Sequence, residues 1–445
     1  MPTPGDAIFG TDGIRGCWGT PPLDPDSIVR LGSALSSVLG PCRLLIGEDP
    51  RESSPWIRDH LLKGMSSKQQ VGICGVIPTP GLSWAVRTKD WDWGIMITAS
   101  HNPWKDNGIK LFARDGSKAD DHMEARITAA FHAEKGVSGG GARSRTFATA
   151  GDYATALRTW GDGLAGGGTR LVVDAANGAA AGIAASLFAD LGYAVDIRCA
   201  APDGRNINEA CGATHLAPLQ SVVKQTGAAL GIALDGDGDR VLFVAPDGSV
   251  ITGDHVLFAL AGGLGIGPAV RPTGVVGTVM SNMGLELELS RRGIPFRRAD
   301  VGDRHVARIM RETGFVVGGE PSGHTIYSPI QPTGDGLLTA LLLLRVLKED
   351  PAAMALRLGR DMEWFAQETR SIQVKRRRDL EAWPELQSLR KDIEARHRDR
   401  VRLLIRYSGT EPKLRVMVEA EAEELIRPIL AALEAVIRRD DPGTG

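Results

Sequence analysis

The chain has 445 residues, of which 42% are hydrophobic and 24% are charged, and its formal net charge is −2. This length allows about two to four domains, and the near-zero charge excludes a general field that would attract nucleic acid or membranes. The apolar runs are too short to span a bilayer, the N-terminus lacks the regions of a signal peptide, and five cysteines without a CxxC pair favour free thiols in the cytoplasm.

A glycine-rich segment, FGTDGIRG, stands near the start of the chain at residues 9–16. Its glycines flank Asp12 and Arg15, so the pattern predicts a bent loop that exposes the arginine. An exposed guanidinium can bind a phosphate through two hydrogen bonds. Taken alone, the segment favours an ordinary turn.

The first strand–loop–helix unit comes next. Residues 43–47 form an apolar run that predicts a strand, and the pattern then predicts a helix over 55–64 with Ser54 as its N-cap and Pro55 in its first turn.

The segment at 94–112, GIMITASHNPWKDNGIKLF, predicts a strand over 94–98, a loop from Ala99 and a second strand that carries Lys110. A hydroxyl at the end of a buried strand is a candidate phosphoryl carrier when an imidazole and an ammonium lie nearby. Ser100 would take the group, His101 would handle a proton, and Lys110 would stabilise oxyanion charge. A polar turn between two strands is the alternative.

The domain organisation follows from a repeated order of elements. A strand, a turn and a helix occur in the same order at 43–64, 169–192 and 273–293, which predicts three related α/β domains with mixed sheets. The last eighty residues predict a smaller α+β domain. We therefore expect domains at 1–148, 149–254, 255–365 and 366–445.

The sequence DGDGDR at 235–240 follows a predicted strand and is the strongest single motif. Asp235, Asp237 and Asp239 alternate with glycine, so three carboxylates can converge on one hard cation such as magnesium. An EF-hand is excluded because Arg240 replaces the required glycine and Pro246 stands at the twelfth position. Arg240 beside a divalent ion suits a bridging phosphate oxygen.

Two further loops carry polar side chains. VGDRHV at 301–306 places Asp303 and Arg304 where they can line a cleft, although an ordinary exposed loop explains the segment equally well. In GGEPSGH, Glu320, Ser322 and His324 stand at alternate positions, and an extended backbone would point them the same way, as a set that binds sugar hydroxyls would. A glycine-rich turn is the alternative.

The loop RYSGTEP at 406–412 lies between two predicted strands. Its arginine, hydroxyls and backbone N–H groups form a plausible anion cradle, with a second arginine on the next strand. The residues concerned are Arg406, Ser408, Gly409, Thr410 and Arg415. A simple β-turn is the alternative.

Together these motifs resemble those of the α-D-phosphohexomutase family, in its order and along essentially the whole chain. The motifs are FGTDGIRG, TASHNPWKDNGIK, DGDGDR, VGDRHV, GGEPSGH and RYSGTEPKLRVMVE, and GTVMSNMGLELEL and NINEACGAT resemble its glucosamine-phosphate branch. The resemblance implies four domains around a central cleft and conversion of glucosamine 6-phosphate to glucosamine 1-phosphate through a 1,6-bisphosphate. It further implies a possible homodimer, whereas the composition itself predicts a cytoplasmic protein with no nucleic-acid or membrane partner.

The resemblance also implies roles for single residues. Ser100 would be the phosphoserine, and its phosphate would hold Mg²⁺ with the three aspartates of the DGDGDR loop. Glu320 and Ser322 would bind sugar hydroxyls, and the 406–415 set would hold the distal phosphate. Transfer and proton movement would be supported by Arg15, His101, Lys110, Arg240 and His324. Pro321 and Tyr407 depart from the usual pattern, which leaves neutral hexose phosphates as the alternative substrate and a non-catalytic phosphosugar-binding regulator as a more distant one.

Overall fold

The structure is a computed structural model that describes residues 7–133, 140–262, 273–375, 377–407 and 413–441. The chain forms two compact units. The larger unit contains residues up to Thr278 together with Ile294–Asp361, and the smaller contains Val279–Gly293 together with Met362–Gly445. None of the described helices is both long and apolar enough to cross a membrane.

The first domain is built on a six-stranded mixed sheet with the strand order β1-β5-β4-β2-β3-β6. Its central strands β2, β3 and β4 run parallel, and β5 is antiparallel to β4. Its elements are β1 (Ile14–Cys17), α1 (Pro25–Leu39), β2 (Arg43–Glu48), α2 (Ser53–Gly64), β3 (Gln70–Val76), α3 (Thr79–Thr88), β4 (Trp93–Ile97), β5 (Asp106–Ala113), α4 (Asp121–Ala133) and β6 (Arg143–Thr146).

The second domain has a five-stranded sheet with the order β11-β10-β9-β7-β8. Strands β8, β7 and β9 run parallel, whereas β10 is antiparallel to β9. Its elements are α5 (Ala150–Trp160), β7 (Arg170–Asp174), α6 (Ala181–Asp190), β8 (Ala194–Arg198), α7 (Ala217–Thr226), β9 (Leu230–Leu234), β10 (Val241–Val244) and β11 (Val250–Ile251).

The third domain has a four-stranded sheet with the order β13-β12-β14-β15, in which β15 alone is antiparallel to its neighbour. Helix α9, which lies between β12 and β13 in the chain, belongs to the smaller unit. The elements are α8 (Gly253–Leu260), β12 (Val275–Thr278), α9 (Met283–Arg291), β13 (Phe296–Ala299), α10 (Asp303–Thr313), β14 (Val317–Gly319), β15 (Thr325–Tyr327), α11 (Gly336–Val346) and α12 (Pro351–Asp361).

The C-terminal domain lies in the smaller unit and has a three-stranded antiparallel sheet with the order β16-β18-β17. Leu414, Val416 and Val418 alternate along β18, lie on one face of the strand and are fully buried. The elements are β16 (Ala366–Gln373), α13 (Pro384–His397), β17 (Val401–Tyr407), β18 (Lys413–Ala420) and α14 (Ile426–Asp440).

The first three domains share one strand arrangement. The orders β5-β4-β2-β3, β10-β9-β7-β8 and β15-β14-β12-β13 each contain one antiparallel strand beside three parallel strands. The predicted relationship among three mixed-sheet α/β domains is therefore confirmed. The connections β4–β5, β9–β10 and β14–β15 are equivalent hairpins, and each begins at the carboxyl end of a parallel strand, where α/β proteins place their ligands.

One local prediction was wrong. Helix α2 begins at Ser53 after Glu52 without a side-chain cap, because the Ser54 hydroxyl donates instead to Asp49 Oδ1 at 3.0 Å. Strand β6, which pairs with β3 at the edge of the first sheet, ends shortly before the predicted end of the first domain.

Candidate active site

Ser100 lies in the β4–β5 connection and is 1% exposed. Its φ of 51° is in the left-handed region, which non-glycine residues seldom occupy without a tertiary reason. The Ser100 N–H donates to Thr98 Oγ1 at 2.9 Å, and the Ser100 hydroxyl donates to Asp235 Oδ2 at 2.7 Å. The hydroxyl is therefore directed at the acidic loop of the second domain.

The backbone around Ser100 is held by Arg51, a residue that sequence reasoning did not identify. Its side chain is fully buried, and its Nη2 donates to the carbonyls of Ser100 and Asn102 at 2.9 Å each. Its Nη1 donates to the carbonyls of Pro103 and Asp106 at 2.6 and 3.1 Å. One guanidinium thus fixes four carbonyls of this connection.

Arg51 is in turn paired with Asp49, whose Oδ2 accepts from Arg51 Nε at 2.9 Å and from Thr98 Oγ1 at 2.7 Å. The same carboxylate thus orients both the arginine and the threonine that caps Ser100 N–H. Asp49 and Arg51 follow the carboxyl end of β2, and β2 lies next to β4 in the sheet. This position after a predicted strand is the one feature of the sequence that could have identified them.

The carboxylates of Asp235, Asp237 and Asp239 converge after β9, and each residue is at most 2% exposed. One oxygen from each lies within 4.8 Å of the others. Asp237 Oδ1 is buried and has no hydrogen-bond partner among the described residues. An oxygen-only donor set with an unused buried oxygen fits a hard divalent cation such as Mg²⁺.

Lys110, on β5, contacts two of these carboxylates. Its Nζ lies 2.9 Å from Asp237 Oδ2 and 3.0 Å from Asp239 Oδ2, and Asp12 Oδ2 is 3.5 Å away. Burial opposes its charge, but these three carboxylates raise the pKa of Lys110, so it remains an ammonium. A permanently charged lysine stabilises anionic charge and does not act as a base.

The pKa values within the acidic loop diverge. Burial and the charges of its two aspartate neighbours raise the pKa of Asp235 well above its usual range. Burial also opposes ionisation of Asp239, but the ammonium of Lys110 and the imidazole of His324 hold the pKa of Asp239 well below that range. The loop therefore concentrates more negative charge than a dry site readily holds, which favours a bound cation.

His101 is half-buried, and its Nδ1 lies 3.4 Å from Ser100 Oγ. The Ser100 hydroxyl makes its short hydrogen bond to Asp235, and its contact with the His101 imidazole is longer. Burial and the charge of Arg240 lower the pKa of His101, which keeps the ring neutral. Arg240 donates its backbone N–H to Asp235 Oδ1 at 3.1 Å.

Arg15 lies within β1, half-buried, and is not exposed on a loop as the glycine pattern predicted. Strand β1 pairs with β5, and the Arg15 guanidinium donates to the Thr98 carbonyl and to Asp12 Oδ2. Arg15 therefore lies beside the Ser100 connection, where it could support phosphoryl transfer, but it does so from a strand and not from a loop.

The β14–β15 connection does not adopt the predicted extended backbone. Gly323 has a φ of 92°, and its N–H donates to the Glu320 carbonyl at 3.0 Å, so the segment turns sharply. Glu320 and His324 are buried as a result, whereas Ser322 is exposed. Glu320 Oε1 accepts the N–H of Gly302 at 3.0 Å.

His324 links the third domain to the acidic loop. Its Nδ1 lies 3.6 Å from Asp239 Oδ1 and its Nε2 lies 3.4 Å from Asp303 Oδ2. Burial lowers the pKa of His324, but these two carboxylates outweigh burial and raise it. Asp303 is also paired with Lys118 at 2.6 Å, and Lys118 contacts Asp12. Sequence reasoning assigned no role to Lys118.

The Arg304 side chain is bound by carboxylates of helix α4. Its guanidinium makes paired contacts with Glu124 of α4 at 2.6 and 2.9 Å and also contacts Asp121. These carboxylates occupy the guanidinium that was predicted to line a cleft.

In the smaller unit, Arg406 on β17 and Arg415 on β18 are directly opposite each other in the antiparallel register. Opposite residues of neighbouring strands point to the same face of a sheet, so two cationic side chains flank the connection that follows. The predicted cradle residues Ser408, Gly409 and Thr410 lie outside the described residues.

Comparison with protein families finds four matches that together cover most of the chain. The phosphoglucomutase/phosphomannomutase alpha/beta/alpha domains I, II and III match residues 6–137, 152–248 and 252–363. The C-terminal domain of the same family matches residues 371–436.

Similar curated proteins cover nearly the full length. A phosphoglucosamine mutase from Koribacter versatilis is 39% identical over 98% of this chain and 98% of its own. One from Thermus thermophilus is 41% identical over 96% of this chain and 98% of its own.

Solved structures share the fold. A phosphoglucomutase/phosphomannomutase family protein from Burkholderia thailandensis has a TM-score of 0.81 at 25% identity and covers 100% of this chain and 99% of its own. An Aspergillus fumigatus N-acetylphosphoglucosamine mutase, solved with GlcNAc-6P and magnesium, has a TM-score of 0.62 at 18% identity over 98% of this chain and 100% of its own.

Proposed function

This chain belongs to the phosphoglucomutase/phosphomannomutase family, and we propose that it is a phosphohexomutase that interconverts glucosamine 6-phosphate and glucosamine 1-phosphate. The observation that carries the proposal is the 2.7 Å hydrogen bond from the buried Ser100 hydroxyl to the acidic loop. The hydroxyl points at three carboxylates that can bind a cation, and cationic side chains surround it. This arrangement suits a phosphoryl carrier. The amino sugar is proposed because the curated relatives are named for it.

In the proposed reaction, phosphorylated Ser100 gives its phosphoryl group to the free sugar hydroxyl. The Oγ–P bond breaks as an O–P bond to the sugar forms, and glucosamine 1,6-bisphosphate results. The bisphosphate then turns and returns its other phosphoryl group to Ser100 Oγ, which releases the isomeric monophosphate. Each transfer moves one proton from the accepting hydroxyl to the departing oxygen, so the cycle consumes no cofactor.

Three aspartates and the phosphate on Ser100 would hold Mg²⁺, which when bound supplies positive charge to the transferring phosphoryl group. Lys110 remains charged and stabilises the anionic carboxylates and phosphoryl oxygens. We propose His101 as the group that exchanges a proton at Ser100 Oγ, since its neutral ring nitrogen lies 3.4 Å away.

The proposal assigns substrate contacts to other domains. Glu320, buried in the third domain, and Ser322, exposed on the same turn, are proposed to bind the sugar hydroxyls. Arg406 and Arg415 are proposed to hold the phosphate that does not react, together with the 408–410 segment.

The proposal is tested by measuring mutase rates side by side on glucosamine 6-phosphate, glucose 1-phosphate and mannose 1-phosphate, each with its 1,6-bisphosphate as activator. We expect the highest kcat/KM on the amino sugar. A preference for a neutral hexose phosphate would contradict the substrate assignment, and no activity on any of the three would contradict the enzyme assignment.

A further inference from the structure

A second cluster of metal-binding side chains lies in the second domain, outside the DGDGDR loop. It consists of Asp174 at the end of β7, Cys199 after β8 and Cys211 before α7. One carboxylate oxygen and the two Sγ atoms lie within 4.8 Å of one another. Asp174 and Cys211 are each 2% exposed, and Cys199 is half-buried, which leaves one side open to a small ion.

The donor set differs in chemistry from the acidic loop. Two sulfurs and one oxygen suit a borderline or soft divalent cation, whereas three carboxylates suit magnesium. Zinc accepts Cys and Asp ligands, is usually four-coordinate, and with three protein ligands leaves its fourth position open. The two clusters are therefore expected to select different ions.

The Asp174 carboxylate is already oriented for such a role. Its Oδ1 accepts the N–H of Ala176 at 2.9 Å, and its Oδ2 accepts the N–H of Gly212 at 2.8 Å. Each carboxylate oxygen keeps a further lone pair. Hydrogen bonds of this kind fix the direction of a metal-binding carboxylate.

The backbone around the cluster is held in an uncommon conformation. Eight described non-glycine residues have a positive φ, and five of them are in this region: Ala176, Asn177, Cys199, Asn208 and Ala210. Such conformations persist where surrounding contacts determine them. The two thiols are thus presented by a defined backbone and not by loose loops.

Ion binding at this cluster is coupled to proton release. A divalent ion displaces the two thiol protons and balances two of the three negative charges of its ligands.

We propose that Asp174, Cys199 and Cys211 form a second metal site, for a thiophilic divalent cation of the zinc type. The site lies beside the machinery around Ser100 and not in it. Asn208, on the segment that joins the two cysteines, donates from Nδ2 to the carbonyls of Ser100 and Asn102 at 2.9 and 3.1 Å. A bound ion therefore fixes the segment through which the second domain holds the Ser100 connection.

The test uses Co²⁺ as a spectroscopic stand-in for zinc. Metal-free, reduced full-length protein is titrated with Co²⁺ in excess Mg²⁺, and near-ultraviolet absorption from thiolate-to-cobalt charge transfer is recorded. The oxygen-only acidic loop cannot give this band. We expect saturation at one ion per chain and loss of the band in Cys199→Ser and Cys211→Ser.

Matched controls separate this site from other thiols. Cys42→Ser and Cys74→Ser, at half-buried cysteines outside the cluster, should keep the band. Asp174→Asn should weaken cobalt binding by about 10-fold or more. Zinc should also protect Cys199 and Cys211, but not Cys42, from alkylation measured by mass spectrometry. Because Cys199 is half-buried, its serine variant should fold, as circular dichroism will show.

Three results would overturn the proposal. The first is the absence of a charge-transfer band in the intact protein. The second is a band that survives in a folded Cys199→Ser variant. The third is a disulfide between Cys199 and Cys211 that persists under the reducing conditions of the titration. None of these readouts depends on mutase activity. Failure of the metal-site proposal would therefore not contradict the proposed function, and the reverse also holds.

Discussion

Ser100 Oγ donates a 2.7 Å hydrogen bond to Asp235 Oδ2, and the two residues come from equivalent hairpin connections of different domains. The β4–β5 connection carries Ser100 and the β9–β10 connection carries Asp235. The β14–β15 connection of the third domain carries His324, which approaches the same acidic loop. One strand arrangement, used three times, therefore supplies the hydroxyl, the carboxylates and the imidazole.

The first prediction concerns Arg51. In Arg51→Lys, three ammonium donors replace five guanidinium donors in a fixed fork, so the Ser100 connection loses part of its support. We expect kcat to fall by about 100-fold, the effect of a small misplacement of reacting groups, with little change in KM because the proposed substrate contacts lie in other domains. Arg43→Lys is the matched control, since Arg43 pairs with the exposed Asp90. Unchanged kcat in folded Arg51→Lys would refute this role.

The second prediction concerns the cation at the acidic loop. Chelation should abolish mutase activity and Mg²⁺ should restore it. Asp237→Asn removes the buried oxygen that has no partner among the described residues, so the Mg²⁺ concentration for half-maximal activity should rise by about 10-fold or more. Asp247→Asn, in the exposed turn after β10, serves as the control. Full activity in the chelated protein would show that no such ion is needed.

The third prediction separates Arg304 from substrate binding. Because Glu124 and Asp121 bind its guanidinium, Arg304→Gln should leave KM for the phosphosugar within about 2-fold. Its unfolding free energy should fall by about 1–3 kcal/mol, the value of hydrogen bonds to charged groups. Arg308→Gln, on the same helix but exposed, should change neither quantity. A large rise in KM for Arg304→Gln would restore the sequence-based prediction.

The fourth prediction is a pH dependence that comes from Asp335. This residue caps α11 and accepts the Tyr153 hydroxyl at 2.7 Å, and burial raises its pKa to about 6. A carboxyl with a raised native pKa favours the folded state below its unfolded pKa, and this contribution is lost as the pH rises through about 6.

Asp335→Asn keeps the cap but cannot ionise. The loss of unfolding free energy between pH 4 and pH 8 should therefore be smaller in this variant than in the parent, by at most about 3 kcal/mol. Thermal unfolding at several pH values measures the difference. Parallel pH profiles for the parent and the variant would contradict it.

The fold was predictable where the signal is local. Apolar runs followed by glycine and aspartate marked the strands and their connections, and DGDGDR after a strand indicated a cation site on its own. Three repeats of one element order indicated related domains. These patterns need only neighbouring residues.

What could not be predicted depends on contacts between distant residues. Arg51 reaches carbonyls about fifty positions away, and nothing in its own segment shows that it is buried. Arg304 looked like a cleft residue because its partners on α4 are far away in the chain. Glu320 and His324 alternate in the sequence, but the φ of Gly323 bends the backbone between them.

The central claim is that Ser100 carries the phosphoryl group, and intact-mass spectrometry tests it most directly. After incubation with glucosamine 1,6-bisphosphate, the parent chain should gain the mass of one phosphoryl group, located at Ser100 by peptide mapping. Ser100→Ala should gain none and lose more than about a thousandfold in kcat, whereas Ser249→Ala, at an exposed hairpin turn, should match the parent. A folded Ser100→Ala variant that keeps parental turnover, or a phosphoryl group found on another residue, would contradict the account.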